Sequence, residues 1–215
     1  TDPWIDLLLK DTPAPAALTD LERDRYYAGV WSFKSISEVL RSFFPEYEAL
    51  LARDGATYTK YDLALLKVWF ELAWMDPSFF SATTIEMEGG PVAIDLSDVV
   101  VDEVGRYTLN PKYTDPPIPE ATRIADLEKL ANRLVAEQYK IMAGVFAIHK
   151  KMGWNGTAGQ VEVLTTPFFH PILPLLFDTD LAKVGQPADP LPEPAFAYPE
   201  DAALQIAMAV EYYTG

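Results

Sequence analysis

The apolar positions of this chain recur mostly every three or four residues, the period of helices buried along one face. Residues 3–9, "PWIDLLL", read as a short helix with Pro3 in its first turn and Asp2 as its cap. "DTPAPAA" is a loop, after which Thr19 and Glu22 form a capping-box pattern and open a helix to about residue 32. Another helix is expected over 35–44. Pro45 interrupts it, and "EYEALLAR" adds a helical turn or two that ends near Gly55. The strongest start is Thr59 with Asp62 in "TYTKYDLALLKVWFELAWMDP". There Leu63, Leu66, Phe70 and Ala73 share a face that Leu65, Trp69 and Leu72 widen, so this helix is expected to be buried on most sides until Pro77 ends it. The longest helix is expected over 122–152. Ile124, Leu127, Leu130, Leu134, Ile141, Val145 and Ile148 line one side, Thr122 caps it and Gly153 marks its end. Arg133, Glu137 and Lys140 form its solvated side.

Three segments break the helical period. Residues 83–109 alternate, turn at Gly89-Gly90 and include a second short strand in "GRYTLN", which predicts a small antiparallel appendage. "NPKYTDPPIPE" reads as a surface linker without regular structure, because proline fixes φ and removes a donor. "QVEVLTT", residues 160–166, reads as a buried strand. Eight of the 18 prolines fall between Pro167 and Pro199, so an extended, ordered loop is expected there. A last helix starts at Pro199, with acids in its first turn and Ala203, Ile206 and Val210 on one face. The fold class is therefore mainly α with a few short strands. It divides into a helical part over 1–82, the β appendage and proline-rich linker over 83–121, and the long helix, strand, loop and terminal helix over 122–215.

Composition narrows the function. The 215 residues carry 17 basic and 32 acidic side chains, a net charge of -15, which repels nucleic acid and anionic membranes and leaves neutral or cationic ligands. With no cysteine there is no disulfide and no thiolate metal site. His149 and His170 are the only histidines, so a histidine-rich metal centre is not expected, nor is a cofactor. No apolar run reaches the ~18 residues of a membrane helix. "TDPWIDLLLK" lacks an initiating Met, a basic n-region and a cleavage pattern, and the chain stops directly after an amphipathic run. Both ends are expected to be cuts within a longer protein.

The candidate chemistry gathers around "GQVEVLTTPFFHPILPLL". A long helix, a glycine turn, one strand, a loop and a helix make a βα-type unit, and ligand groups in such units sit where the strand hands over to its loop. Glu162 lies in that strand and His170 just after it. A carboxylate on a buried strand costs several kcal/mol unless paired or hydrogen-bonded, so Glu162 either serves a site or pairs with a cation on a neighbouring helix or faces water at an edge. His170 is either a site residue or a satisfied core or loop histidine. Trp69, Phe70 and Trp74 at helical spacing read as core in preference to a sugar platform. In "FDTDLAK", Thr179 or Asp180 is expected to cap a helical turn, since a calcium loop needs more oxygen ligands. "NGT" at 155–157 is either a glycosylation acceptor or a turn.

"GQVEVLTTPFFHPILPLLFDTDLAK", followed by "YPEDAALQIAMAVEYY", resembles the second sequence region of glycoside hydrolase family 57, the family of amylopullulanase, α-amylase and 4-α-glucanotransferase enzymes. The resemblance extends back through "NRLVAEQYKIMAGVFAIHKKM", "YTKYDLALLKVWFELAWMDP" and "TDPWIDLLLK". It implies a (β/α)7 barrel, of which this chain would hold a large helical insertion and one strand–loop–helix unit, an incomplete barrel. It implies retention of anomeric configuration by a Glu nucleophile and an Asp acid/base, with α-glucan oligosaccharides or polysaccharides as substrate. Glu162 then falls on the family's wall glutamate, His170 on the histidine of "PFFHPILPLL", and Trp74 and Asp76 on its "AW-x-DP". The family's histidine-glutamine-proline motif and the regions that carry its nucleophile and acid/base have no counterpart here. The resemblance thus implies that no catalytic residue lies in this chain, and that its partner is the remainder of a parent enzyme. A reading from another class stays open beside it: a non-catalytic acidic helical module that binds a cationic partner.

Overall fold

Side-chain caps set where the helices begin. The computed structural model describes residues 2–87, 89–152, 164–188 and 190–214. In it, Asp2 Oδ1 accepts from Trp4 N at 2.7 Å and α1 follows as Pro3–Leu9. Thr19 and Glu22 form the capping box of α2, Asp20–Arg23. The expected run to residue 32 stops sooner. The helix widens into a π turn over Asp24–Ala28, and the chain folds back so that Phe33 N donates to Arg25 O at 2.8 Å. The helix expected over 35–44 shrinks to α3, Glu38–Arg41, capped by Ser37. The residue before a proline is disfavoured from the helical region, and Phe44 is duly non-helical, with φ -124° and ψ 79°. Pro45 sits in the first turn of α4, Pro45–Leu51, where its missing N–H has no helical partner to lose.

α5, Lys60–Trp74, opens on the expected Thr59–Asp62 capping box. Arg53 grips the same carboxylate through two nitrogens at 2.6 and 2.8 Å. Burial pushes the Asp62 carboxyl up, but the guanidinium and the N–H and hydroxyl of Thr59 outweigh it and hold the group below its ordinary value. Two hairpins come next. β1, Thr83–Ile85, pairs antiparallel with β2, Val92–Ile94, and β3, Val100–Asp102, with β4, Tyr107–Leu109. The free edge of β4 is covered: Tyr107 N donates to Phe43 O at 2.7 Å and Leu109 N to Glu46 Oε2 at 2.9 Å.

The 110–120 segment is not the irregular surface linker that its prolines suggest. Asn110 caps α6, Pro111–Thr114, with Pro111 in the first turn, and Tyr113 is buried. α7 is Glu120–Lys151. It starts ahead of Thr122, whose N–H donates to Pro119 O at 2.9 Å, so Thr122 is not its cap. Arg123 lies over the Tyr61 ring at 4.4 Å, which sets the start of α7 against the start of α5. At Gly144 a Cβ would come within 3.2 Å of Ile85 Cδ1 and 3.3 Å of Glu86 O, so glycine lets the first hairpin lie against α7.

Residues 1–151 form one compact unit and residues 152–215 a second. The core of the first draws on α1, α4, α5 and α7, and the hairpin segment expected as an appendage adds Leu96, Val99, Val100 and Leu109 to it. Aromatic rings fill its centre: Trp69 stacks on Tyr47 at 6.2 Å and Phe33 lies 5.1 Å from Phe70. The α7 stripe is buried only along its first half. Leu127, Leu130 and Leu134 are covered, whereas Val145 and Ile148 are exposed. Arg133 turns from the expected partner Glu137 to Asp98, 2.9 Å away. Two buried charges sit one turn apart on α5. Lys67 donates to Lys10 O, and burial lowers its ammonium to about 8. Glu71 has an unpartnered Oε2.

The turn of the second hairpin carries strain. Val104 and Gly105 stand at φ 59° and 81°, the paired positive φ of a mirror-image hairpin turn. Glycine takes this conformation freely, but a β-branched residue does not. Val104 is fully exposed, so no packing compensates. Val104→Asn is expected to raise stability by about 1 kcal/mol, read as a higher urea midpoint at unchanged slope. A lower midpoint would mean that Val104 makes contacts which hold it there.

In the second unit, prolines begin helices where an extended loop is expected. α8 is Leu173–Phe177, with Pro174 in its first turn. Asp178, not Thr179 or Asp180, caps the next turn, Thr179–Leu181, and α9, Ala182–Gly185, follows it. α10, Pro199–Thr214, begins as expected but buries Ala202 and Ala209, one strip round from the expected Ala203, Ile206 and Val210. Of the expected 160–166 strand, residues 160–163 lie outside the described residues, and 164–166 are exposed and carry no strand. The described residues are thus mainly helical, with four short strands in two antiparallel hairpins.

Candidate functional site

The second unit holds a groove of about 800 Å³, built from the "PFFHPILPLL" segment and the chain that returns to α10. Two ties fix its walls. Phe196 N donates to Thr179 Oγ1 at 3.0 Å while Thr179 N donates to Phe196 O at 2.9 Å, and Tyr198 N donates to Leu176 O at 3.0 Å. Alternate residues of an extended chain face the same way. Phe196 and Tyr198 therefore stand side by side along the groove, ring centroids 4.4 Å apart. Ile172, Leu175 and Leu176 face it from the other wall. Such a surface offers ring and C–H faces for a ligand, with few polar groups to orient it.

His170 precedes Pro171, which lines the groove, but is not itself part of the lining. It is exposed, and its backbone is left-handed at φ 53°, a region that histidine enters more readily than most residues. The turn that holds it closes by His170 N donating to Pro167 O at 2.7 Å. α10 clamps the same turn from below. Gln205 O accepts from Phe168 N at 3.2 Å, and Gln205 Oε1 from Phe169 N at 2.9 Å. Phe168 also meets the Tyr212 ring edge-on at 5.7 Å.

Trp74 and Asp76 belong to the first unit. Trp74 is the last residue of α5 and 58% exposed, while Trp69 on the same helix is 1% exposed and Phe70 packs on Trp4 and Phe33. The sequence reading of these rings as core holds for Trp69 and Phe70; Trp74 leaves it. Asp76 is exposed, and its Oδ1 accepts from Ser78 N at 2.9 Å, starting the turn Pro77–Phe80. That N–H, with the Ser78 hydroxyl, holds the carboxyl below its ordinary value, so it is an anion at neutral pH. An indole and a carboxylate thus stand two residues apart on one exposed corner. The fourth candidate, Glu162, lies outside the described residues.

Gln205, the tie of Thr179 to Phe196 and the Phe196–Tyr198 pair escaped the sequence pattern. "AFAYP" carries the signal for the last two, alternating aromatics on an extended run. The role of Gln205 had no local signal, because its partners lie more than 30 residues away. Among the described residues, no three His, Asp or Glu side chains cluster closely enough to hold a metal ion.

These features describe a helical protein whose second unit holds an apolar groove and whose first unit exposes an indole and a carboxylate at the end of α5. Residues 22–215 match the family model of glycosyl hydrolase family 57. The match spans all but the first 21 residues, so the chain belongs to glycosyl hydrolase family 57, and its coarse function is that of a glycoside hydrolase. No curated protein and no solved structure matches the chain.

Proposed function

We propose that this chain is part of the catalytic domain of a retaining glycosidase or transglycosidase that acts on α-glucans. In this reading it supplies cleft wall, while the catalytic pair comes from outside these residues. The first unit is then the helical insertion of a (β/α)7 barrel, and the second contains one strand–loop–helix unit of it. The family match over residues 22–215 carries the reading. Trp74 supports it as an exposed ring for a pyranose face, Asp76 as an anionic acceptor for sugar hydroxyls, and His170 as an exposed polar group in the turn that leads into an apolar groove. Glu162 is the fourth wall residue by its place in the motif. Retaining glycosidases need two carboxyl groups roughly 5 Å apart across the scissile bond, and no Glu or Asp here falls on the family's nucleophile or acid/base regions.

The 215-residue chain is expected to release no reducing ends from maltooligosaccharides or soluble starch. Turnover by the purified chain would place the catalytic pair inside it and overturn that part of the proposal. In the parent enzyme, Glu162→Gln is expected to lower kcat/KM at least ~10-fold, about 1.4 kcal/mol of transition-state binding. Unchanged kinetics would remove Glu162 from the wall.

A further inference from the structure

The backbone of His170 is strained twice over. Its φ of 53° lies in the left-handed region, and the next residue is Pro171, which pushes the residue before it towards extended backbone. Such a conformation persists only where its surroundings impose it. The imidazole does not impose it. It is exposed, and among the described residues it has no hydrogen-bond, ionic or ring partner.

α10 imposes it instead. Gln205 O accepts from Phe168 N and Gln205 Oε1 from Phe169 N, so one residue holds two consecutive N–H groups of the turn. About two helical turns further on, Tyr212 meets the Phe168 ring edge-on. The next N–H, that of His170, donates to Pro167 O and closes the turn. Of these acceptors only Gln205 Oε1 belongs to a side chain. Glycine would enter this φ without cost, whereas histidine needs the clamp. What the clamp provides is a fixed direction for the His170 side chain. A neutral imidazole donates at one nitrogen and accepts at the other, so its use to a ligand depends on where it is held.

We propose that Gln205 is a positioning residue for His170, acting on substrate only through the imidazole that its clamp holds in place. The proposal rests on the reading of His170 as a cleft residue.

The test has two arms. In the 215-residue chain, Gln205→Met keeps the length of the side chain and removes the acceptor, whereas Gln205→Glu keeps the acceptor. Amide hydrogen exchange at Phe169 and His170 is expected to speed up ~10-fold in Gln205→Met and to stay slow in Gln205→Glu, with Thr179 and Tyr198 unaffected in both. Unchanged exchange at Phe169 in Gln205→Met would overturn the clamp. In the parent enzyme, His170→Gly removes the imidazole and the strain together, so the urea midpoint is expected to rise while kcat/KM falls ~10-fold. Gln205→Met is expected to lower kcat/KM to a similar extent and Gln205→Glu to recover most of it. The double variant Gln205→Met/His170→Gly is expected to lose no more than His170→Gly alone, because both changes remove the same placed imidazole. Additive losses would mean that Gln205 acts elsewhere and would overturn the proposal. Unchanged kinetics in His170→Gly would take His170 out of the cleft and the positioning role with it, while the exchange result for the clamp would stand.

Discussion

Trp69→Ala is expected to destabilise the first unit by about 3–5 kcal/mol, enough to unfold it at moderate temperature. Trp69 is 1% exposed, stacked on Tyr47 and tilted against Phe44 at 5.6 Å, so truncation opens a large cavity at the meeting point of α4 and α5. Trp74, five residues further along the same helix, is expected to behave oppositely. Its ring is mostly in water, so Trp74→Ala should change stability by no more than about 0.5 kcal/mol. In the parent enzyme the same change should raise KM for a long glucan. Urea denaturation of both variants makes the comparison. Equal losses would show that Trp74 belongs to the core and would overturn its proposed place in the cleft wall.

Glu71 sets the second large effect. It is 4% exposed, its Oε2 has no partner, and burial alone pushes its carboxyl up to about 7. Below about pH 4.5 the group is protonated in both folded and unfolded chains and has no effect on the balance. Between 4.5 and 7 the unfolded chain gives up this proton and the folded chain keeps it. The folded state therefore binds more protons there, and stability falls as pH rises. By pH 8 the loss is about 2–3 kcal/mol. Glu71→Gln keeps the shape and removes the charge, so it is expected to restore that amount at pH 8 and to change little at pH 4.5. Urea midpoints of the two proteins at these two pH values read the difference directly. An equal gain at both would trace the effect to packing, and no gain at pH 8 would mean that the carboxylate has a partner in solution. Lys67, one turn earlier, does not offset this: its ammonium donates to the Lys10 carbonyl and lies in the field of Glu128 and Asp11, and burial alone sets the Glu71 shift.

The parts of the fold that were legible in the sequence are those whose determinants are local. Asp2, Thr19 and Thr59 each satisfy backbone N–H groups two or three residues away, so the starts of three helices followed from short strings of residues. The breadth of the α5 stripe likewise implied burial on most sides. Proline misled twice in the same direction. It was read as a bar to regular structure at Pro111 and Pro174, yet in a first turn its missing N–H costs nothing.

The candidate site divides along the same line. The motif residues Trp74, Asp76, Glu162 and His170, and membership of glycosyl hydrolase family 57, come from one-dimensional pattern. Which α5 tryptophan faces water came from the fold, because Trp69 and Trp74 share the helix and differ only in what packs over them. The support for the His170 turn came from the fold too, since Gln205 reaches it from another helix. So did the burial of Glu71 and Lys67, two charged residues that helical periodicity alone would let face water. The sequence by itself determined the helical class, the helix caps and the family, because short-range hydrogen bonds and apolar spacing are written in adjacent residues. The tertiary structure decided which apolar stripes are covered, which charges are stranded and where the groove opens, because those depend on contacts between segments that sequence spacing does not encode.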